Sequence, residues 1–133
     1  MNHLNTRTAT KAVTLASAAA VLAVPLAATS AHASDDREVR ASRACATGQV
    51  KVKAKEDDGR IEVEGEVDTN RRGQTWSWTM RRDGSTVAQG TGTTAGASGS
   101  FSVERKIADP AGSDRIVFRA VRGGTTCSVA VTF

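Results

Sequence analysis

The residues best suited to chemistry with a partner are arginines. Arg71 and Arg72 lie in residues 68–74 (DTNRRGQ), Arg122 adjoins Gly123-Gly124, and Arg43 stands two places before Cys45. A guanidinium fork meets carboxylate and phosphate oxygens two at a time, so arginines in turns suit the recognition of anions. Trp76 and Trp78 offer a second chemistry, stacking on sugars or bases. Lys51, Lys53 and Lys55, read alone, suggest an anion-binding stripe. Glu56-Asp57-Asp58 and the Asp109/Asp114 segment carry oxygens that suit calcium, but neither has the regular spacing of a calcium loop. They read better as turn chemistry, with Asp58-Gly59 as a hairpin tip and Asp109-Pro110 as a bend. No metal and no cofactor is expected.

Catalysis is poorly provided for. The two histidines, His3 and His32, both lie in the leader described below, and the chain has no tyrosine. No imidazole is therefore left to activate a serine, and the two cysteines are committed to each other. Gly90-Thr91-Gly92 lacks the strand–loop–helix context of a phosphate-binding loop. The acids are mostly on strand faces or in turns, not at fixed spacing across a cleft as a glycosidase needs. The expectation is a protein that is not an enzyme.

Residues 1–33 read as a secretory signal. Arg7 and Lys11 make a positive start, residues 12–28 are an apolar run, and Ala31-His32-Ala33 offers small residues at the two positions a signal peptidase reads. Cleavage is expected after Ala33. The apolar run is short and Ala-rich for a membrane span. Removing the leader takes two of the 18 basic residues and none of the 14 acidic ones, so a formal charge of +4 falls to +2. That balance is no nucleic-acid signature. Residues 34–44 are charged and carry one large apolar residue, Val39, and are expected to be flexible. The domain is expected over residues 45–133. An even number of cysteines in an exported chain favours a disulfide, and Cys45 with Cys127 is the only pairing within the chain.

From Gly48 onward the hydrophobic period is two. Val50, Val52 and Ala54 alternate with lysines; Ile61, Val63 and Val67 alternate with glutamates; Trp76, Trp78 and Met80 alternate with Ser77, Thr79 and Arg81. Phe101, Val103 and Ile107 share one phase, as do Ile116, Phe118 and Ala120, and then Cys127, Val129, Val131 and Phe133. This pattern is that of antiparallel strands with one buried face each. Seven strands are expected, near residues 48–56, 60–68, 74–82, 85–91, 99–107, 114–122 and 125–133, with a flexible loop over 92–100. All five aromatics after the leader (Trp76, Trp78, Phe101, Phe118, Phe133) fall on inward phases and are assigned to the core rather than to a stacking surface.

The turns fix registers. A two-residue hairpin at Asp58-Gly59 opposes Val50 to Val67, Val52 to Gly65 and Ala54 to Val63 on one face. On the other face it opposes Lys51 to Glu66, Lys53 to Glu64, Lys55 to Glu62 and Asp57 to Arg60, all of opposite charge. A slip of one residue would lose every pair and invert the faces. The lysine stripe is therefore read as a neutralised face. Gly123-Gly124 likewise opposes Ala120 to Cys127, Phe118 to Val129 and Ile116 to Val131. A third hairpin at Asp83-Gly84 would set Trp78 against Gln89.

Seven short strands with a tryptophan on the third resemble the immunoglobulin and fibronectin type III class of β-sandwich. The leader and the Ala/Gly/Thr-rich body are similar to those of small exported proteins of actinomycete bacteria. In that sandwich class the points carrying Cys45 and Cys127 lie at one end. The bridge would then tie the start of the first strand to the last strand. The same topology would gather Arg43, Arg71, Arg72 and Arg122 at one end, with only Asp68 nearby, and loop ends are where such folds bind. The outward residues Val117, Arg119 and Val121 beside Ser128, Ala130 and Thr132 offer a mildly apolar face for self-association or a partner. The chain is expected to be a secreted, monomeric, non-catalytic module that acts by binding or in envelope structure. An anionic envelope polymer or an extracellular protein is the expected partner, with no role for nucleic acid or, after cleavage, for a membrane. The alternative is a small secreted inhibitor of a protease or glycosidase, presenting Arg71-Arg72 or residues 92–98.

Overall fold

The computed structural model describes residues 37–133; the leader over 1–33, its cleavage point and residues 34–36 lie outside them. Eight strands follow in order: β1 Glu38–Cys45, β2 Gly48–Asp57, β3 Arg60–Asp68, β4 Thr75–Arg82, β5 Ser85–Thr93, β6 Ser100–Ala108, β7 Arg115–Arg122 and β8 Thr125–Thr132. They form two four-stranded antiparallel sheets, sheet A in the order β1-β2-β3-β6 and sheet B in the order β5-β4-β7-β8. The described chain is all-β. The expectation of seven strands is corrected to eight. The additional one is β1, in the segment read as flexible. Its residues pair with β2 from Glu38 against Lys55 to Cys45 against Gly48, which supplies the order that its own composition does not. Cys45 therefore ends β1 rather than preceding the first strand.

Alternation builds the core. Val50, Val52, Ala54, Ile61, Val63 and Val67 from sheet A meet Trp76, Trp78, Met80, Ile116, Phe118 and Ala120 from sheet B, all buried. Phe133 is buried as well, and Arg37 lies over its ring at 3.9 Å. Phe101 differs, being only half-buried at the side of the sandwich where β5 approaches β6. Glycines make room for the large rings: a Cβ at Gly65 would overlap Phe118, one at Gly92 would overlap Phe101, and one at Gly90 would lie 2.9 Å from Trp78. Both indole Nε1 atoms are buried without a hydrogen-bond partner among the described residues. Each costs about 1–3 kcal/mol, against the roughly 3–5 kcal/mol lost on truncating such a ring to alanine.

The first hairpin register is as the charges require, from Val50 against Val67 to Asp57 against Arg60. Asp58 and Gly59 both take positive φ, 50° and 72°, the conformation of a primed turn. The last hairpin likewise sets Ala120 against Cys127, Phe118 against Val129 and Ile116 against Val131. The middle hairpin departs from expectation. A bulge after Met80 shifts the register by one, so Trp78 opposes Gly90 rather than Gln89. The shift sets a glycine, and not a longer side chain, beside the indole. Residues 92–100 are not a long flexible loop: β5 runs to Thr93, and Ala95 bridges to Ser100 in both directions, at 2.9 and 3.1 Å.

The disulfide Cys45–Cys127 joins β1 to β8, edge strands of different sheets, with Cα atoms 5.5 Å apart. It closes one open side of the sandwich, where β1 lies against β8.

Candidate binding surface

Charge is distributed unequally between the sheets. The strands of sheet A carry eight acidic and eight basic residues. Those of sheet B carry five arginines and no acidic residue. On sheet A the charges neutralise one another along the outer face. Lys51 reaches Glu66 at 2.8 Å, Lys53 reaches Glu64 at 2.5 Å and Lys55 reaches Glu62 at 2.9 Å. The Glu66 and Glu62 carboxylates, as hydrogen-bond acceptors, hold Lys51 and Lys55 above the ordinary lysine value. The fourth expected pair is corrected. Asp57 takes Lys106 from β6 instead of Arg60, and Arg60 donates to the Lys106 carbonyl at 2.9 Å. The hydrogen bond from Lys106 depresses the Asp57 carboxyl and raises the lysine. β6 lies on the far side of β3 from β2, a neighbour that hairpin arithmetic alone does not supply. The groove on this face, about 370 Å³, is lined in part by two of these pairs, Lys51 with Glu66 and Lys53 with Glu64.

The outer face of sheet B is built of hydroxyls. Thr75, Ser77 and Thr79 on β4 stand beside Thr93, Thr91 and Gln89 on β5, and beside Val121 and Arg119 on β7, with Thr126 and Ser128 beyond on β8. Val117 pairs with Ala130 in the same face, and both are half-buried. Arg81 and Arg119, exposed here, make no ion pair among the described residues.

Arg71, Arg72 and Arg122 lie at the end of the sandwich that carries the disulfide, and all three are exposed and unpaired among the described residues. The loop between β3 and β4 that carries the first two is held rigidly from beneath. Thr69 and Thr94, each 1% exposed, both donate their hydroxyls to the Arg71 carbonyl, at 3.0 and 2.5 Å. The Gly73 amide donates to the Thr94 carbonyl at 2.7 Å, the Gln74 amide to the Thr94 hydroxyl at 3.0 Å, and the Thr69 amide to the Gly99 carbonyl at 3.1 Å. Asn70 Nδ2 donates to the Thr47 carbonyl at 2.8 Å. Gly99 has φ of 65° and packs so closely that a Cβ would enter the Arg71 backbone. The arginine side chains thus project from a backbone with few remaining freedoms, which lowers the entropy lost when a ligand fixes them. Sequence reading found the arginines but not the pins. Thr69, Thr94 and Gly99 look like ordinary loop residues, because their partners lie two to thirty residues away. Arg43 is placed differently, on β1 at the β1–β8 side, where it also borders Asp68 and Asn70.

At the opposite end, Asp114 is 2% exposed, and its Oδ2 has no hydrogen-bond partner among the described residues. Burial pushes its carboxyl above the ordinary range and the Asp83 carboxylate pushes it further; Arg82, with Nε 3.6 Å from Oδ1, only partly opposes them. A carboxyl raised on folding binds more protons in the folded than in the unfolded state. Stability therefore falls as pH rises from the ordinary carboxylate value through the raised one. Asp114→Asn is expected to remove that fall, leaving the denaturation midpoint flatter across mildly acidic pH than in the parent. Urea midpoints of both proteins over that range check it, and parallel curves would contradict the assignment. The depressed Asp57 has the opposite sign, with its contribution lost on acidification, so the difference between the two proteins isolates Asp114.

Compared with known protein families, with curated proteins and with solved structures, the chain matches none of them.

Proposed function

We propose that the protein is an exported, non-catalytic binding module of the immunoglobulin or fibronectin type III class, whose arginine loop engages an anionic extracellular polymer. The fold reading is supported by the strand order. Without β1, the sheets are β2-β3-β6 and β5-β4-β7-β8, three strands facing four, with β1 appended at the edge of the smaller sheet. Export is supported by the leader pattern over residues 1–33 and is compatible with the disulfide.

The observation that carries the binding reading is the held loop. Arg71 and Arg72 lack acidic partners among the described residues, while the lysines of sheet A each have one. A rigid loop that exposes two unneutralised guanidinium forks suits carboxylate- or phosphate-bearing chains. The inhibitor reading loses support at the same place. A trypsin-like enzyme reading Arg71 needs its carbonyl in an oxyanion hole, and that carbonyl is already occupied by the Thr69 and Thr94 hydroxyls.

The expected result is that Arg71→Gln with Arg72→Gln weakens retention on purified anionic envelope polymer by on the order of tenfold or more. Retention equal to the parent would discard the loop as the site.

A further inference from the structure

We propose that the cleft between edge strands β1 and β8 is a second anion site, in which Arg43 and Arg115 hold a doubly charged tetrahedral oxyanion, a phosphate or sulfate group. The cleft has a volume of about 210 Å³ and is lined by residues 41–43 of β1, residues 128–130 of β8, and Arg115. A water molecule occupies about 30 Å³ of liquid, so the space admits such a group together with some of its hydration.

Its chemistry is one-sided. Among the described residues the lining holds two arginines, two serines (Ser42 and Ser128) and small apolar residues, and no acidic residue. Arg43 and Arg115 are exposed and make no ion pair among the described residues. Two like charges facing one cleft repel, and a dianion relieves both at once. Two forks reaching one cleft from different strands, β1 and β7, match oxygens disposed tetrahedrally better than the planar pair of a carboxylate.

Position also favours a built site. Arg43 shares the inward phase of β1 with Val39, Ala41 and Cys45, yet β1 is an edge strand, so its side chain opens onto the gap rather than into the core. Ser128 directly follows Cys127, and Arg43 stands two residues from Cys45. The disulfide therefore sets the separation of the cleft walls at their closed end. Small side chains at Ala41 and Ala130 leave the middle unobstructed. The outer face of β8 continues from Ser128 to Arg119, its neighbour on β7, so a polymer bearing the oxyanion would find further positive charge beyond the cleft.

The experiment is a backbone-amide NMR titration of the protein with sodium phosphate, sodium sulfate and sodium acetate, each at constant ionic strength. Phosphate and sulfate are expected to give saturable shifts at Ser42, Arg43 and Ser128, with acetate much weaker. Arg43→Gln with Arg115→Gln should weaken phosphate binding at least roughly tenfold. Arg71→Gln with Arg72→Gln should leave the saturable phosphate shifts at Ser42, Arg43 and Ser128 in place, whatever it does to shifts in the loop over 69–74, so failure of the loop reading and failure of this one are separable. Non-saturable shifts, acetate binding as strong as phosphate, or equal losses in the two double variants would each overturn the site. A melting curve of the Arg43/Arg115 variant matching the parent establishes that any loss is local.

Discussion

Replacing Cys45 and Cys127 with serine is expected to lower the melting temperature by roughly 20 °C or more. The bond spans a sequence separation of 82 residues. In the chain-entropy treatment, removing such a cross-link frees the unfolded chain by about 4–5 kcal/mol. For a domain of about 100 residues each kcal/mol corresponds to roughly 4–8 °C. The native state loses something as well, since β1 and β8 are edge strands of different sheets and the bond cross-links them directly. Calorimetry of the parent, of the reduced parent and of the double serine variant measures the effect. A fall of only a few degrees after verified reduction would show that packing between β1 and β8 holds that side without the bond.

The second large effect concerns Phe118 and the glycine beneath it. Phe118 is fully buried, and its ring occupies the space that a Cβ on Gly65 would take. Phe118→Ala removes a large ring from a core that two sheets cannot close over, at a cost of about 3–5 kcal/mol. Gly65→Ala crowds the ring and is expected to cost about 1–3 kcal/mol. The two are expected to be strongly non-additive. In the Phe118→Ala background the new methyl enters vacated space, so Gly65→Ala should become neutral or stabilising. Denaturant midpoints of the four proteins complete the cycle. Additive costs would mean that Gly65 is glycine for a reason other than the ring.

That pair also shows what could be read from the chain beforehand. The register that sets Gly65 inside the first hairpin follows from the lysine and glutamate alternation around Asp58-Gly59, because only one register pairs the charges while burying the valines. Which ring lies over Gly65 does not follow, since Phe118 comes from the other sheet. β1 was missed for a related reason. EVRASRAC offers only Val39, Ala41 and Cys45 as an apolar face, interrupted by Arg43. Its order comes from the free edge of β2. The bulge in β5 was missed because a turn fixes a register only until an extra residue intervenes. Gly90 and Gly92, small residues opposite tryptophans, were the available signal. Of the candidate site, the arginines were legible by type and by their place in turns. The threonine pins were not, because the loop over 69–74 is held by residues from the β5–β6 connection. Arg115 was invisible as a partner of Arg43, since only the apposition of β1 and β8 brings their elements together.

Position, not net charge, decides binding: sheet A neutralises its own lysines, while the arginines of the end loop make no ion pair among the described residues. Two variants with the same charge change separate these. Arg71→Gln with Arg72→Gln and Lys51→Gln with Lys53→Gln each remove two positive charges. Retention of both on an immobilised anionic polysaccharide, over a series of salt concentrations, is the most direct measurement. The arginine variant should elute at markedly lower salt than the parent and the lysine variant close to it. Equal shifts in the two would mean that the protein is held by its overall charge, and would contradict a binding loop.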